Sequence, residues 1–247
     1  MWDQALMGVR KHLLAYSKDT NLTILGERQT GLEGILTPKM DHLVCFMPGT
    51  IALAATGGLT LKEAKRRPSW GYKQEQDMAL ARELMKTCWG MYKVTATGLS
   101  PEIAYFHLND TPIMVMDEER KSIDDFDMAD PAAEWRQDFD LHINDLHNLQ
   151  RPETIESLFY MWRITEEEKY RDWGWEMFES FVEHTSLENG GGFTSISNVN
   201  VIPTPKRDNM ESFWLVSTTP CMSSDTEALT IALGGNTQIL LPPLRSK

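Results

Sequence analysis

Two segments of the chain place a glutamate directly after a proline, and each could supply a carboxylate for acid–base chemistry. They are Ser100-Pro101-Glu102-Ile103 and Arg151-Pro152-Glu153-Thr154. Proline suits the first position of a helix, because its missing N–H would have no partner there. The positive end of the helix dipole then favours an ionised glutamate in the first turn. Two carboxyl groups, one ionised and one holding a proton, are what glycoside hydrolysis requires.

The second segment has a clear helical pattern. Its apolar residues follow the i, i+3, i+4, i+7 spacing of one helix face: Ile155, Leu158, Phe159 and Trp162. Arg151 lies next to Glu153 and favours its charged form, so Glu153 could act as a base, with Glu156 one turn further on. The alternative, that Glu102 and Glu153 each serve only a helix dipole, stays open on these residues alone.

His42 is a further candidate, near the start of an apolar helix predicted over residues 39–55. Beside Asp41, it could donate to a sugar hydroxyl or to a carboxylate, although a purely structural histidine is the alternative. The sequence contains no H-E-x-x-H, Cys-x-x-Cys or EF-hand spacing, no phosphate loop and no G-x-S-x-G. These motifs therefore predict neither a zinc site nor a loop-type calcium site.

The rest of the chain reads as long apolar helices in pairs. Helices are predicted over residues 1–18, 39–55, 78–95, 151–162 and 166–183, and others are predicted to begin at 101 and 210; the helix over 39–55 is expected to kink at Pro48 and to end at Gly57-Gly58. Strands are predicted over 23–27 and 193–199. Residues 117–140 are acidic and are predicted to form an exposed, partly mobile excursion. Paired helices of this length predict an all-α array or an α/α toroid. In a toroid, the helix starts would gather the charged candidates at one end: Asp41, His42, Glu102, Arg151 and Glu153.

Composition limits the function classes. The 247 residues carry a net charge of −12 with no basic stripe, which argues against nucleic acid as a partner. No apolar run of eighteen residues occurs, so no transmembrane segment is predicted, and the charged, amphipathic N-terminus is not a signal peptide. The three cysteines are too few for a disulfide scaffold. Glycosylation triplets begin at Asn21 and Asn109 and weakly suggest a secretory compartment.

Six blocks of the sequence resemble a known family: KMDHLVCFMPGTIAL, GLSPEIAYF, RPETIESLFYMWRIT, YRDWGWEMFESF, GGFTSISNV and RDNMESFWL. Over residues 4–215 they are similar to consecutive blocks of the class I α-1,2-mannosidases, glycoside hydrolase family 47, and most of all to its endoplasmic-reticulum type. The resemblance implies the C-terminal portion of an (α/α)7 barrel with a short β-hairpin element. It also implies a calcium-dependent glycosidase that removes α-1,2-linked mannose from high-mannose N-glycans with inversion.

The resemblance also assigns residues. It implies that Glu102 is the catalytic proton donor and that Glu153 is the second catalytic acid, with the role of base. Substrate-binding positions are implied for His42, Arg151, Pro152, Glu156 and Phe213, the last of which would stack on the terminal mannose. A disulfide is implied between Cys45 and Cys88, in an oxidising endoplasmic-reticulum or Golgi lumen. Family members often carry an N-terminal membrane anchor, so the full-length protein is expected to be membrane-anchored.

The sequence departs from the family at several points. The N-terminal barrel helices, with another catalytic glutamate and an aspartate, are absent, and Val216-Ser217 stand where a pocket glutamate is lost. The calcium-binding threonine is missing, so no metal ligand is predicted and the calcium site is expected to be incomplete. Residues 1–215 are predicted to form a partial catalytic domain, and 216–247 a divergent, disordered tail. The chain alone is therefore expected to be weakly active or inactive.

Two alternatives to a glycosidase remain. One is a mannose-binding, lectin-like mannosidase homologue of glycoprotein quality control that binds glycan without turnover. The other is a gene-model fragment that never accumulates as folded protein. The retained acids in SPEI and RPET favour the hydrolytic branch of the family.

Overall fold

The computed structural model of the chain describes residues 1–108, 126, 130 and 132–214. Its α-helices are α1 (Trp2–His12), α2 (Met47–Thr56), α3 (Leu61–Ala64), α4 (Tyr72–Lys93), α5 (Glu153–Thr165) and α6 (Glu168–Thr185). Its strands are β1 (Leu14–Tyr16), β2 (Thr23–Leu25), β3 (Lys39–Asp41), β4 (Ile103–Phe106) and β5 (Phe139–Asp140). Short 3₁₀ helices cover His42–Phe46, Glu134–Asp138, Ile143–Asp145 and Glu188–Gly190.

The helices α2, α4 and α5 pack against one another, and α6 packs on α5. A stripe along α4 that includes Leu80, Leu84 and Met91 is fully buried, and α5 turns Ile155, Leu158 and Met161 into the same core. The prediction of a helix in the Arg151 segment is confirmed, but its buried face is only partly the predicted one: Ile155 and Leu158 are buried, whereas Phe159 and Trp162 are only partly buried. Each of these helices hides its apolar side against a neighbour, as the pairing of long helices predicts.

Close approach of α2 to α5 depends on one small residue. A Cβ on Gly49 would lie 3.0 Å from the Cα of Ser157. The Ser157 hydroxyl donates to the Cys45 carbonyl at 2.6 Å and accepts from the Gly49 N–H at 3.1 Å. These contacts fix α5, which carries Glu153 at its first turn, against the segment that carries His42.

Two small antiparallel sheets accompany the helices. Strands β1 and β2 form a hairpin, and β4 lies between β3 and β5, with Met40 opposite Ala104. The inner face of the second sheet is buried, through Met40, Ala104, Phe106 and Phe139. The sheet matters for function because His42 directly follows β3 and Glu102 directly precedes β4.

Of two helices predicted in this region, one is confirmed only in its second half and the other is wrong. Residues 39–55 form β3, a 3₁₀ helix and then α2, and Pro48 lies in the first turn of α2 instead of kinking a helix. The segment after Pro101 is strand β4 and not the start of a helix. The sequence Ile103-Ala-Tyr-Phe alternates partly buried and buried residues, and such β-branched and aromatic residues favour a strand once a partner is present. The predicted end of the helix at Gly57, with φ 66°, is confirmed.

Smaller differences occur elsewhere. The N-terminal helix ends at His12, after which the chain turns into β1. The predicted strand over 193–199 is reduced to isolated bridges at Phe193 and Ile196. The acidic excursion over 117–140 lies mostly outside the described residues, but its end is only partly exposed. Trp135 and Phe139 are buried there, because they pack on each other and Phe139 also packs on Phe106.

The implied disulfide is present between Cys45 and Cys88, whose Cα atoms lie 5.7 Å apart. It joins the 3₁₀ helix His42–Phe46 to α4. Both cysteines are fully buried. The bond therefore reinforces the junction of α2, α4 and α5 from inside the core.

One helical run in the described part of the chain, His42–Ala64, is apolar enough by length and composition to cross a membrane. Core helices of many proteins meet the same criterion, so this is weak support for a span. The run comprises the 3₁₀ helix, the ten-residue α2 and the short α3, with left-handed glycines at 57 and 58 between the last two. The prediction that the chain has no membrane span stays a prediction.

Candidate active site

Glu153 occupies the first turn of α5. Pro152 precedes it as the N-cap, and the Pro152 carbonyl accepts from the Glu156 N–H at 2.9 Å, so the helix begins one residue later than the proline pattern predicts. The Glu153 side chain is 13% exposed. A carboxylate in this position lies where the helix dipole favours its negative charge, and a narrow opening to solvent remains.

His42 contacts this carboxylate directly. Its Nδ1 lies 2.8 Å from Oε2 of Glu153, and its Nε2 lies 2.7 Å from the hydroxyl of Tyr92 and 3.3 Å from that of Thr154. The His42 side chain is only 2% exposed. Of the two donor roles considered for His42, the geometry supports the bond to a carboxylate, because both ring nitrogens already have protein partners.

The pKa of Glu153 reflects this contact. Burial, the largest single influence, pushes the pKa of Glu153 upward, but its interactions with His42, led by the hydrogen bond, outweigh burial together with those of its own backbone N–H and of Arg151. The net result is a pKa below the ordinary value for a glutamate. Glu153 is therefore ionised at neutral pH and can accept a proton.

Glu156, one turn further along α5, has the opposite shift. Its burial raises its pKa, and the negative charge of Glu153 raises it further. Glu156 borders a small hollow of about 80 Å³, which Phe46, Thr50 and Tyr160 also line. The helix thus presents two carboxyl groups whose pKa values are pushed apart, the arrangement that lets neighbouring carboxyls take different roles.

Glu102 reaches the same region from the sheet. Its Oε1 accepts from Nε of Arg151 at 2.6 Å, and its side chain is 14% exposed. The backbone is held as well, since the Glu102 carbonyl accepts from the His42 N–H at 2.8 Å and the Glu102 N–H donates to the Asp145 carbonyl at 3.0 Å. Arg151 therefore joins the carboxylate at the start of β4 to the start of α5.

Phe213 also belongs to this cluster, because the Arg151 guanidinium lies 5.8 Å from the centre of its ring. The structure thus brings together most of the residues that the sequence marks as candidates: His42, Glu102, Arg151, Pro152, Glu153, Glu156 and Phe213. Asp41 is not among them, because its carboxylate pairs with Lys39 at 3.1 Å.

Two residues of the cluster, Tyr92 and Thr154, are not predicted by any pattern in the sequence. Tyr92 lies on the apolar face of α4, where it reads as core, and it is fully buried. Thr154 is buried beside Glu153. The sequence spacing of these hydroxyls from His42, 50 and 112 residues, explains why only the tertiary structure could reveal them.

Calcium is the metal that the family resemblance implies. Within the described ranges, no group of three or more His, Cys, Asp or Glu side chains is arranged to hold a metal ion. The carboxylates of the cluster instead pair with Arg151 and His42. No calcium ligand is therefore assigned among the described residues.

Comparison with solved structures supports the fold. The chain superposes on an alpha-1,2-mannosidase from Trichoderma reesei with a TM-score of 0.66 at 20% identity, covering 96% of this chain and 41% of that protein. The fold is therefore the expected portion of an α/α barrel. The small sheets described above accompany its helices.

Sequence comparison identifies close relatives. The chain is 44% identical over 218 residues to a mannosyl-oligosaccharide 1,2-alpha-mannosidase of Arabidopsis thaliana. It is 43% and 41% identical to the endoplasmic reticulum mannosyl-oligosaccharide 1,2-alpha-mannosidases of Saccharomyces cerevisiae and Homo sapiens. These matches cover 87–88% of this chain but only 33%, 38% and 25% of the respective relatives. The model of glycosyl hydrolase family 47 matches residues 1–219, and the chain belongs to that family.

Proposed function

We propose that this chain carries the base and part of the sugar pocket of an α-1,2-mannosidase that trims high-mannose N-glycans by inverting hydrolysis. One observation carries the proposal: Glu102 and Glu153, both partly exposed, lie in one cluster joined by Arg151 and His42. The printed names of the relatives supply the substrate class. Because the chain spans 25–38% of the length of these relatives, the activity of the whole protein rests on more residues than those described.

Glu153 is suited to the base. Its Oε2 is held by His42, so Oε1 is the atom that would take a proton from water as that water attacks the anomeric carbon. Its lowered pKa keeps it unprotonated at neutral pH. Inversion follows when water attacks the face of the sugar opposite the departing oxygen.

Glu102 is the proposed proton donor to the departing glycosidic oxygen. Its Oε1 already accepts from Arg151, so a transferable proton would reside on Oε2. Arg151 fixes the direction of this carboxyl, and its remaining N–H groups can donate hydrogen bonds to hydroxyl groups of the sugar. Each acid is thus held by a different residue: Glu102 by Arg151 and Glu153 by His42.

The sugar itself would lie against Phe213, Pro152 and Glu156. An aromatic ring covers the apolar face of a sugar, and a Glu156 that holds its proton can donate to a hydroxyl. His42 is proposed to act on Glu153 and not on the sugar, because its ring nitrogens are engaged and its side chain is buried. This changes the role that the family resemblance implies for His42.

The compartment and the metal are parts of the same proposal. Relatives are named for the endoplasmic reticulum, and the buried Cys45–Cys88 bond suits an oxidising lumen, so we place the protein in the endoplasmic reticulum or Golgi lumen. Anchoring to the membrane, and calcium held with the help of residues beyond those described, remain proposals from the family. In a glycosidase, calcium would supply charge that orients sugar hydroxyls.

The test is mannose release from a nine-mannose N-glycan by the purified 247-residue chain in the presence of calcium, followed over long incubation by mass spectrometry. We expect slow release, with NMR showing that the mannose is set free in the inverted configuration. Glu153→Gln should lower the rate by about 10²–10⁴-fold, because the base is lost. Glu168→Gln is the matched control, since Glu168 also opens a helix but is exposed and pairs with Arg171.

Two outcomes would contradict the proposal in different ways. Absence of both glycan binding and mannose release would remove the assigned site altogether. Glycan binding without release, unchanged by Glu153→Gln, would favour the lectin-like alternative.

A further inference from the structure

The His42 imidazole lies between a carboxylate and two buried hydroxyl groups, and the donor and acceptor of each hydrogen bond in this arrangement can be assigned. Glu153 is ionised and can only accept hydrogen bonds, so Nδ1 of His42 must be the donor across their 2.8 Å contact. A neutral imidazole that donates from Nδ1 accepts at Nε2. The hydroxyl of Tyr92, 2.7 Å from Nε2, is the nearest group that can supply that proton.

The burial of the hydroxyls supports the same direction. Tyr92 and Thr154 are both fully buried, so their O–H protons must find partners inside the protein. Burial, the largest influence, raises the pKa of Tyr92, so its phenol keeps its proton and remains a donor. Thr154 lies within hydrogen-bonding contact of Tyr92 and 3.3 Å from Nε2 of His42. The donors thus run from Thr154 to Tyr92, then to His42, and end on Glu153.

We propose that Tyr92 and Thr154 are positioning residues that hold His42 in the Nδ1–H tautomer and thereby orient Glu153. This deepens the function proposed above, since it explains how the assigned base is kept in place. Without a donor at Nε2, only the bond to Glu153 favours the proton on Nδ1, so the preference for this tautomer is weaker. The other tautomer would then place a lone pair of Nδ1 against the Glu153 carboxylate, and the contact would be lost.

The chain offers a direct test by NMR of histidine-labelled protein. Long-range ¹H–¹⁵N spectra distinguish the protonated from the unprotonated ring nitrogen, and a His42→Gln variant identifies the His42 signals among the six histidines. In the unsubstituted chain at neutral pH we expect a protonated Nδ1 and an unprotonated Nε2. A protonated Nε2 on its own, or protons on both nitrogens, would overturn the proposal without any further variant.

Tyr92→Phe removes only the hydroxyl, so packing around α4 is retained. We expect loss of the single Nδ1–H pattern in favour of a mixture of tautomers. The ¹³C signal of the Glu153 carboxyl should then titrate at a higher pH than in the unsubstituted chain, because the hydrogen bond that lowers its pKa is weakened. Unchanged His42 signals in this variant would refute the positioning role.

Tyr170→Phe is the matched control. Tyr170 is also a buried tyrosine with a raised pKa, but it packs against Trp173 on α6. It should leave the His42 signals as they are, so a change seen with Tyr92→Phe cannot be ascribed to loss of any buried phenol.

A second pair of variants keeps the proposal testable if Tyr92→Phe does not fold. Thr154→Val removes the first donor and should broaden or shift the His42 Nε2 signal, whereas Thr154→Ser restores the hydroxyl and should restore the signal. Equal spectra for the valine and serine variants would exclude Thr154 from the arrangement. These readouts need no turnover, so failure of mannose release would not be confused with failure of this proposal.

Discussion

Glu102 and Glu153 lie in one cluster but are carried by different secondary-structure elements, which are called their supports here. Glu153 begins the long helix α5 and is held by a buried histidine. Glu102 precedes the middle strand of a small sheet and is held by Arg151, whose side chain is 22% exposed. The carboxylate on the helix thus depends on buried, packed groups, while the carboxylate beside the strand depends on an ion pair close to solvent. Damage to the core should therefore affect Glu153 more than Glu102.

The largest expected difference is between the isoleucines that follow the two glutamates. Ile155 is buried in the core of α5, whereas Ile103 lies on the partly exposed face of β4. Ile155→Ala should lower the free energy of unfolding by about 2–5 kcal/mol, because it leaves a cavity. Ile103→Ala should cost less than about 1.5 kcal/mol. Urea denaturation measures both, and equal losses would mean that the two supports do not differ in the way described.

Removal of the disulfide should have the next largest effect. Cys45 and Cys88 are 43 residues apart, and closing a loop of this length stabilises a protein by about 2–4 kcal/mol. The bond joins the segment of His42 to the helix of Tyr92. The Cys45→Ser, Cys88→Ser double variant, made in a Cys221→Ser background, should therefore loosen the His42–Glu153 contact more than the Arg151–Glu102 pair. Thermal unfolding and the His42 NMR signals report this, and a larger change at Arg151 would contradict it.

Loss of Arg151 tests the other support. Arg151→Met leaves the Glu102 carboxylate partly buried without its cation, which should cost about 1–3 kcal/mol. Arg171→Met, which breaks an exposed pair with Glu168, should cost less than about 1 kcal/mol. The free energy of unfolding of each variant decides the matter. A similar cost for both would show that the Arg151–Glu102 pair is no more than a surface contact.

The smallest expected effect is on the pH dependence of stability. The folded state lowers the pKa of Glu153, so its contribution is present above the unfolded pKa and is lost as the pH falls through the folded value. The raised pKa of Glu156 acts in the opposite sense, since it favours folding at low pH and that contribution disappears as the pH rises.

Unfolding followed from pH 3 to 7 should show these opposite trends when Glu153→Gln and Glu156→Gln are each compared with the unsubstituted chain. Glu153→Gln should flatten the loss of stability towards acid pH. If both variants change the curve in the same direction, the assignment of opposite shifts is wrong.

Much of the cluster could be predicted from residue types. Glu153 and Glu156 lie in the first turn of the predicted helix, and Arg151 lies just before its N-cap, Pro152. The family resemblance supplied Phe213 and the cysteine pair, which lie far apart in the chain. The identity of β4 could not be predicted, because Pro101-Glu102 has the same local form as Pro152-Glu153 and only its pairing with β3 makes it a strand.

The sequence by itself determined the family, the long helices and the charged residues available for chemistry, because apolar spacing and family motifs are local properties of the chain. Tertiary structure alone decided that Glu102 leads into a strand, that the His42 side chain contacts Glu153, and that the hydroxyls of Tyr92 and Thr154 contact the other ring nitrogen of His42. Hydrogen bonds between residues 50 and 112 positions apart depend on how the helices pack, and no local pattern encodes that packing.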